Sequence, residues 1–155
     1  MRNKIDKFLG SVLVILMAVM VINVLWQVAS RYLLGSPSIF TDELANFLLI
    51  WVGILGAAYA TGKRMHLAID ILPNKLEGKS QKTLMTVVAV LVSLFAFTVM
   101  VIGGIRLVYL TLLLEQLSPT LQIPLGYVYI VIPISGILII YYSISNLLNP
   151  DHGAN

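Results

Sequence analysis

Four long apolar stretches without Asp, Glu, Lys or Arg alternate with polar segments along the chain. These stretches are Phe8–Ser30, Leu44–Gly62, Thr83–Ile105 and Leu117–Pro150. Each reaches or exceeds the ~18–20 residues with which an α-helix crosses a hydrocarbon core of ~30 Å. The pattern predicts an all-α integral membrane protein that forms a single membrane domain over 1–155. Its four long, tilted transmembrane helices are expected at about 8–30, 42–62, 83–112 and 121–148.

Composition supports a membrane protein and excludes an ordinary water-soluble domain. Of the 155 residues, 59% are hydrophobic and only 11% are charged, whereas about 25% of residues are charged in a soluble domain. The formal net charge is +3, but the basic residues lie beside the predicted spans. This placement favours a phospholipid bilayer, not nucleic acid, as the partner. The chain has no cysteine, so disulfides and thiolate metal sites are excluded.

The distribution of Lys and Arg between the spans indicates how the chain is oriented. The N-terminal segment and the loop between the second and third spans hold eight of these residues, and the other two loops hold two. Because flanking positive charge is retained on the cytoplasmic side, we expect both termini to be cytoplasmic. The first apolar stretch exceeds the ~7–15 residues of a secretory signal, so we expect it to remain as an anchor.

The loop between the second and third spans combines basic residues with apolar residues at helical spacing. Its apolar positions are Met65, Ala68, Ile69, Leu72 and Leu76. This spacing favours a short amphipathic helix at the cytoplasmic membrane surface, and a solvated loop is the alternative. The polar residues expected at this cytoplasmic interface are Lys63, Arg64, His66 and Asp70. Two ligands, His66 and Asp70, are too few for a convincing metal site.

The residues of the spans do not indicate catalysis or cofactor binding. No Asp or Glu lies at the middle of a predicted span, and both histidines, His66 and His152, lie outside the spans. Axial haem ligands are typically His, and proton-coupled carriers usually place ionisable residues inside the membrane. A Gly-rich phosphate-binding loop is also missing from the sequence. We therefore expect no enzyme activity and no cofactor in this chain.

Two helix faces carry residues that typically mediate helix packing. Asn23, Gln27 and Arg31 recur every four residues and form a polar stripe on the first helix. The two amides of this stripe are expected to form hydrogen bonds, either between helices of this chain or with another subunit. The second helix has a small-residue face that allows another helix to approach closely. This small-residue face consists of Gly53, Gly56, Ala57 and Ala60.

The first outer loop ends in residue types that begin a helix. Thr41 is a candidate N-cap, and Asp42 and Glu43 suit the positive end of a helix dipole, so the second helix is expected to start near Thr41. Arg31 is a candidate ion-pair partner for Asp42 or Glu43. Independent solvation of these charges is an equal alternative, because ion pairs at a surface contribute little.

Short motifs in a fixed order resemble the small membrane (Q-type, DctQ-like) subunit of the tripartite ATP-independent periplasmic (TRAP) transporters, most closely the sialic-acid type. In the first half of the chain they are Gln27, Arg31-Tyr32, Gly35-Ser36-Pro37, Phe40–Ala45, Trp51-Val52-Gly53, Gly56-Ala57-Ala58 and His66–Asp70. In the second half they are Ser118-Pro119, Ile123-Pro124 and Tyr129–Pro133. The resemblance covers nearly the whole chain.

This resemblance implies a non-catalytic scaffold subunit of a sodium-coupled secondary transporter in a bacterial inner membrane. The implied substrate is an organic acid of the sialic-acid or C4-dicarboxylate class. The implied partners are a large, elevator-type membrane subunit and a periplasmic substrate-binding protein. The outer-face residues that would contact the binding protein, or pair with each other, are Arg31, Asp42, Glu43 and Glu115.

Two other roles are open from the sequence. The chain would instead be a self-sufficient small transporter or channel if it formed oligomers with a polar pathway. It would be a folding chaperone for its partner if it were needed only during assembly.

Overall fold

The computed structural model describes residues 2–33, 35, 39–63 and 79–148, which are mostly helical. The first two helices are α1 (Arg2–Leu33) and α2 (Ile39–Gly62). The next helical run consists of α3 (Lys79–Phe95), a π-helical segment (Ala96–Gly103) and α4 (Gly104–Leu113). The last run consists of α5 (Leu125–Tyr129) and α6 (Val131–Leu148).

Four of these helical runs are long and apolar enough to cross a membrane. They contain 32, 24, 31 and 24 residues and are Arg2–Leu33, Ile39–Gly62, Thr83–Leu113 and Leu125–Leu148. The prediction of an all-α membrane fold with four long helices is therefore confirmed over the described ranges. The amphipathic helix predicted between α2 and α3 falls on residues 64–78, which lie outside the described residues.

The start of α2 differs by two residues from the sequence-based expectation. The helix begins at Ile39, so Thr41 lies inside the first turn and is not the N-cap. Helix starts inferred from a capping residue type alone are accurate only to one or two residues. Thr41 is instead buried, and its backbone carbonyl accepts a hydrogen bond from α1.

The last helical run is interrupted near Pro133. α5 ends at Tyr129 and α6 begins at Val131. Because proline has no N–H, Pro133 cannot bond the carbonyl four residues earlier, and this turn of the helix is loosened. The carbonyl of Val128, beside the interruption, accepts a hydrogen bond of 3.0 Å from the indole Nε1–H of Trp51. α2 therefore supplies a partner to a carbonyl at the break, where hydrocarbon would supply none.

The eight-residue π-helical segment is a feature that the apolar pattern did not predict. Gly136 of α6 packs directly on this segment. A Cβ added at Gly136 would lie 2.8 Å from the Cβ of Met100 and 3.3 Å from the carbonyl oxygen of Ala96. Because a side chain would meet fixed atoms at these distances, the close approach requires glycine.

The chain divides into two compact units. Unit 1 comprises Met1–Gly56 and Arg106–Val131, and unit 2 comprises Ala57–Ile105 and Ile132–Asn155. The buried core of unit 2 contains Ala58, Ala96 and Ile139, against which Val92, Met100, Leu138 and Ile140 pack.

Within unit 2, side chains near the end of α6 contact the end of α2. The Tyr142 ring is fully buried and packs on Gly62, where an added Cβ would lie 2.9 Å from a ring carbon. One turn further along α6, the Asn146 amide donates a hydrogen bond of 2.9 Å to the carbonyl of Thr61. The glycine contact and the amide bond together tie α6 to α2 within this unit.

We predict that G136A destabilises the chain although it adds only a methyl group. The new Cβ must displace Met100 or the π-helical backbone, and overpacking of this kind costs about 1–3 kcal/mol. G53A is the matched control, because a Cβ at Gly53 meets no atom within 4 Å. Thermal unfolding in detergent should show a lower midpoint for G136A only. Equal midpoints for the two variants would contradict the close packing of α6 on the π-helical segment.

Candidate functional site

The polar stripe of α1 bonds to the first turn of α2. Asn23 is buried, and its Nδ2 donates a hydrogen bond of 2.7 Å to the carbonyl of Thr41. One turn later, Nε2 of Gln27 donates a bond of 3.0 Å to Oδ1 of Asp42. Of the two alternatives for these amides, the structure favours bonds between helices of the same chain. The two amides of the stripe therefore join α1 to α2.

Glu43 joins α2 to the loop that precedes α5. Its Oε2 accepts two hydrogen bonds of 2.9 Å, from the backbone N–H groups of Thr120 and Leu121. Bonds to an ionised carboxylate are stronger than bonds between neutral groups, and an acidic residue near a helix N-terminus also suits the helix dipole. A carboxylate in the second turn of α2 thus holds a segment that follows it by 77 residues.

The loop held by Glu43 has its own network of hydrogen bonds. Ser118 N–H donates to the Ile123 carbonyl at 2.9 Å, and the Gln122 amide donates to the Pro119 carbonyl at 2.9 Å. Glu115 and Gln122 have positive φ angles of 47° and 54°, which reverse the chain at the two ends of the loop. These bonds form a compact turn between α4 and α5. We call residues 114–124 the outer turn, after the orientation predicted from the distribution of Lys and Arg.

Arg31 does not pair with the acidic residues predicted as its partners. Its side chain is exposed, while the carboxylates of Asp42 and Glu43 accept hydrogen bonds from Gln27 and from the outer turn. Within the described ranges, the ion pair that the structure contains is Arg2–Asp6, at 4.0 Å. Glu115 is exposed on the outer turn. Whether these charges contact a binding protein stays a prediction.

The small-residue face of α2 is largely open. Gly53 and Ala57 are exposed, and Gly56 and Ala60 are partly buried. A Cβ added at Gly53 or Gly56 would meet nothing within 4 Å. The two glycines therefore provide no close helix contact inside the described part of the chain.

Asn46, which lies on α2 between Asp42 and Gly53, was not among the site residues predicted from the sequence. Its side chain is exposed, and among the described residues no hydrogen bond reaches its amide. A signal was present in the sequence, because Asn46 follows Asp42 by four residues and an amide is uncommon in an apolar span.

The residues predicted for the cytoplasmic interface are only partly described. Lys63 is half-buried, and its backbone N–H donates to the Tyr59 carbonyl at 3.0 Å. Arg64, His66 and Asp70 lie outside the described residues. Among residues that the structure does describe, no group of three or more His, Cys, Asp or Glu is arranged to hold a metal ion.

We predict that E43A frees the outer turn. Without the carboxylate, the N–H groups of Thr120 and Leu121 lose their acceptor, so their hydrogen exchange should accelerate and the thermal midpoint should fall. E43Q keeps one carbonyl oxygen and should have an intermediate effect, since its bonds are no longer charge-assisted. E115A, which removes an exposed carboxylate from the same turn, is the control. Unchanged exchange at 120–121 in E43A would contradict the proposed restraint.

Comparison with known proteins identifies the family. Residues 20–152 match the family model described as "Tripartite ATP-independent periplasmic transporters, DctQ component". The sialic acid TRAP transporter small permease protein SiaQ of Vibrio cholerae is 27% identical over 151 residues, which cover 96% of this chain and 84% of SiaQ. The ectoine TRAP transporter small permease protein TeaB of Halomonas elongata is 26% identical, over 96% of this chain and 77% of TeaB.

A third relative is much longer than this chain. The sialic acid TRAP transporter permease protein SiaT of Haemophilus influenzae is 37% identical over 95 residues, which are 61% of this chain but 15% of SiaT. The relatives are transporter permease components and not enzymes. With four membrane-spanning helices and a family match over most of its length, the chain belongs to the DctQ component family of the tripartite ATP-independent periplasmic transporters.

Proposed function

We propose that the chain is the non-catalytic scaffold subunit of a sodium-coupled TRAP transporter that imports an organic acid. The observation that carries this proposal is that polar side chains of α1 and α2 form hydrogen bonds within this chain. Asn23, Gln27 and Glu43 bond to this chain's own backbone and side chains. Side chains that form hydrogen bonds between helices are expected in a rigid scaffold more than in a substrate site that moves.

The proposed main partner is a large TRAP membrane subunit. SiaT supports this choice, because a segment similar to this chain makes up 15% of a much longer permease polypeptide. Segments that belong to one permease polypeptide lie in the same membrane assembly. We propose that the two functions are divided between subunits here, and that the open face at Gly53 and Ala57 contributes to their packing.

The outer turn and the first turn of α2 form the proposed contact surface for a periplasmic binding protein. Glu43 holds the outer turn against α2, while Asp42 and Glu115 remain exposed. A restrained, acidic surface is suited to a soluble partner that must dock and leave repeatedly, since charge complementarity mainly raises the association rate. Arg31 adds an exposed positive charge at the end of α1.

The proposed location is the bacterial inner membrane, with both termini cytoplasmic. The eight-to-two distribution of Lys and Arg supports this orientation. In this proposed orientation, the Glu43-bonded outer turn would lie on the periplasmic side, where a binding protein would approach. The proposed substrate is an organic acid, without a choice of compound. Two of the relatives described above are named for sialic acid and one for ectoine.

We predict that uptake of organic acid into proteoliposomes requires this chain together with the large subunit and the binding protein. The test compares sodium-driven sialic acid uptake with all three components and with each one omitted. Uptake by the large subunit and binding protein alone would contradict an obligatory scaffold. Uptake by this chain alone would instead indicate a self-sufficient transporter.

A second experiment distinguishes the role of a scaffold from the role of a folding chaperone. After the complex is assembled and reconstituted, this chain is removed by cleavage at an inserted protease site and uptake is measured again. A scaffold is still needed, so uptake should fall. Unchanged uptake after complete removal would indicate a role in assembly alone.

A further inference from the structure

The amide side chains in the predicted spans differ in how their hydrogen bonds are satisfied. Four of them, Asn23, Gln27, Gln122 and Asn146, donate to groups of this chain. The fifth, Asn46, is exposed and forms no hydrogen bond within the described part of the chain. Asn46 is therefore the exception in a chain that otherwise pairs the amides of its spans internally.

Asn46 lies below the outer end of α2, within the apolar part of the helix. Glu43 and Lys63 are the last charged residues on either side of this part, and their separation of twenty residues corresponds to about 30 Å of helix, the thickness of a hydrocarbon core. Asn46 follows Glu43 by three residues and so lies about 5 Å further in. Hydrocarbon offers no hydrogen-bond partner at this depth, and an unpaired amide there is unfavourable.

Asn46 also belongs to a continuous exposed stripe. Beyond Ile39 and Phe40, the exposed residues of α2 are Asp42, Asn46, Leu49, Gly53 and Ala57. Successive members are three or four residues apart, so they lie on one face of the helix. The two small residues on the inner half leave room for another helix backbone. The stripe therefore combines an unsatisfied amide with a surface on which a helix can pack closely.

We infer that this stripe of α2 binds a transmembrane helix of the large TRAP subunit, which supplies a hydrogen-bonding group to Asn46. The inference rests on the proposed function. Lipid tails would cover the apolar members but would leave the amide unpaired. A second copy of this chain is a weaker choice, because SiaT carries a segment similar to this chain within one larger permease polypeptide.

The first test uses N46L in the full chain, co-expressed with the tagged large subunit. Leucine has a similar size but cannot form a hydrogen bond, so recovery of this chain during detergent washing should fall and dissociation should be about threefold to tenfold faster. N46Q, which keeps the amide, should recover much of the binding. L91A is the matched control, because Leu91 is an exposed apolar residue on α3.

The second test measures contact directly and does not depend on the hydrogen bond. The chain has no cysteine, so L49C, A57C and the control L91C each provide a single site for a spin label. Accessibility of the label to oxygen is measured for the chain alone and for the complex. We expect a decrease at positions 49 and 57 on complex formation and little change at position 91.

The outcomes separate this inference from the proposed function. A complex that forms normally with N46L and leaves the labels at 49 and 57 fully accessible would overturn the inference and preserve the proposed partner. A wild-type chain that does not bind the large subunit would overturn both. Decreased accessibility of these labels in the chain alone at high protein concentration would indicate a second copy, and would also overturn the inference.

Discussion

Hydrocarbon offers no water to a polar group, and this constraint explains the contacts that organise unit 1. The amides of Asn23 and Gln27 bond to the first turn of α2, and the Trp51 indole bonds to a carbonyl beside the break between α5 and α6. The Glu43 carboxylate bonds to two N–H groups of the outer turn. Each bond fixes one segment against another, and the bonds of Asn23 and Trp51 also satisfy groups that lipid would leave unpaired.

Unit 2 combines the Asn146 amide bond with close packing at glycine. Gly136 allows α6 to approach the π-helical segment, and Gly62 provides room for the buried Tyr142 ring. Helices in a bilayer gain little from excluding water from one another, so van der Waals contact at small residues becomes an important source of stability. Within each unit, these contacts hold the helices in one arrangement.

The sequence predicted the elements more fully than the contacts between them. The lengths of the apolar stretches identified four spans, because the thickness of a bilayer sets a minimum length for a helix that crosses it. Spacing placed Asn23 and Gln27 on one face but did not identify Thr41 and Asp42 as their partners, since packing between helices decides this. The Glu43 bond to the outer turn joins distant segments, and local patterns carry no signal for it. The π-helical segment was missed because its apolar sequence also fits an α-helix.

A fixed scaffold is tested most directly by the depth of this chain in the membrane during transport. A spin label at L25C, an exposed position on α1, would be placed in the assembled three-component transporter in proteoliposomes. Its depth is obtained from its relative accessibility to oxygen and to a water-soluble nickel complex. A scaffold predicts the same depth with and without sodium and organic acid. A depth that changes when both are added would contradict the scaffold role, because the chain would then move with the substrate.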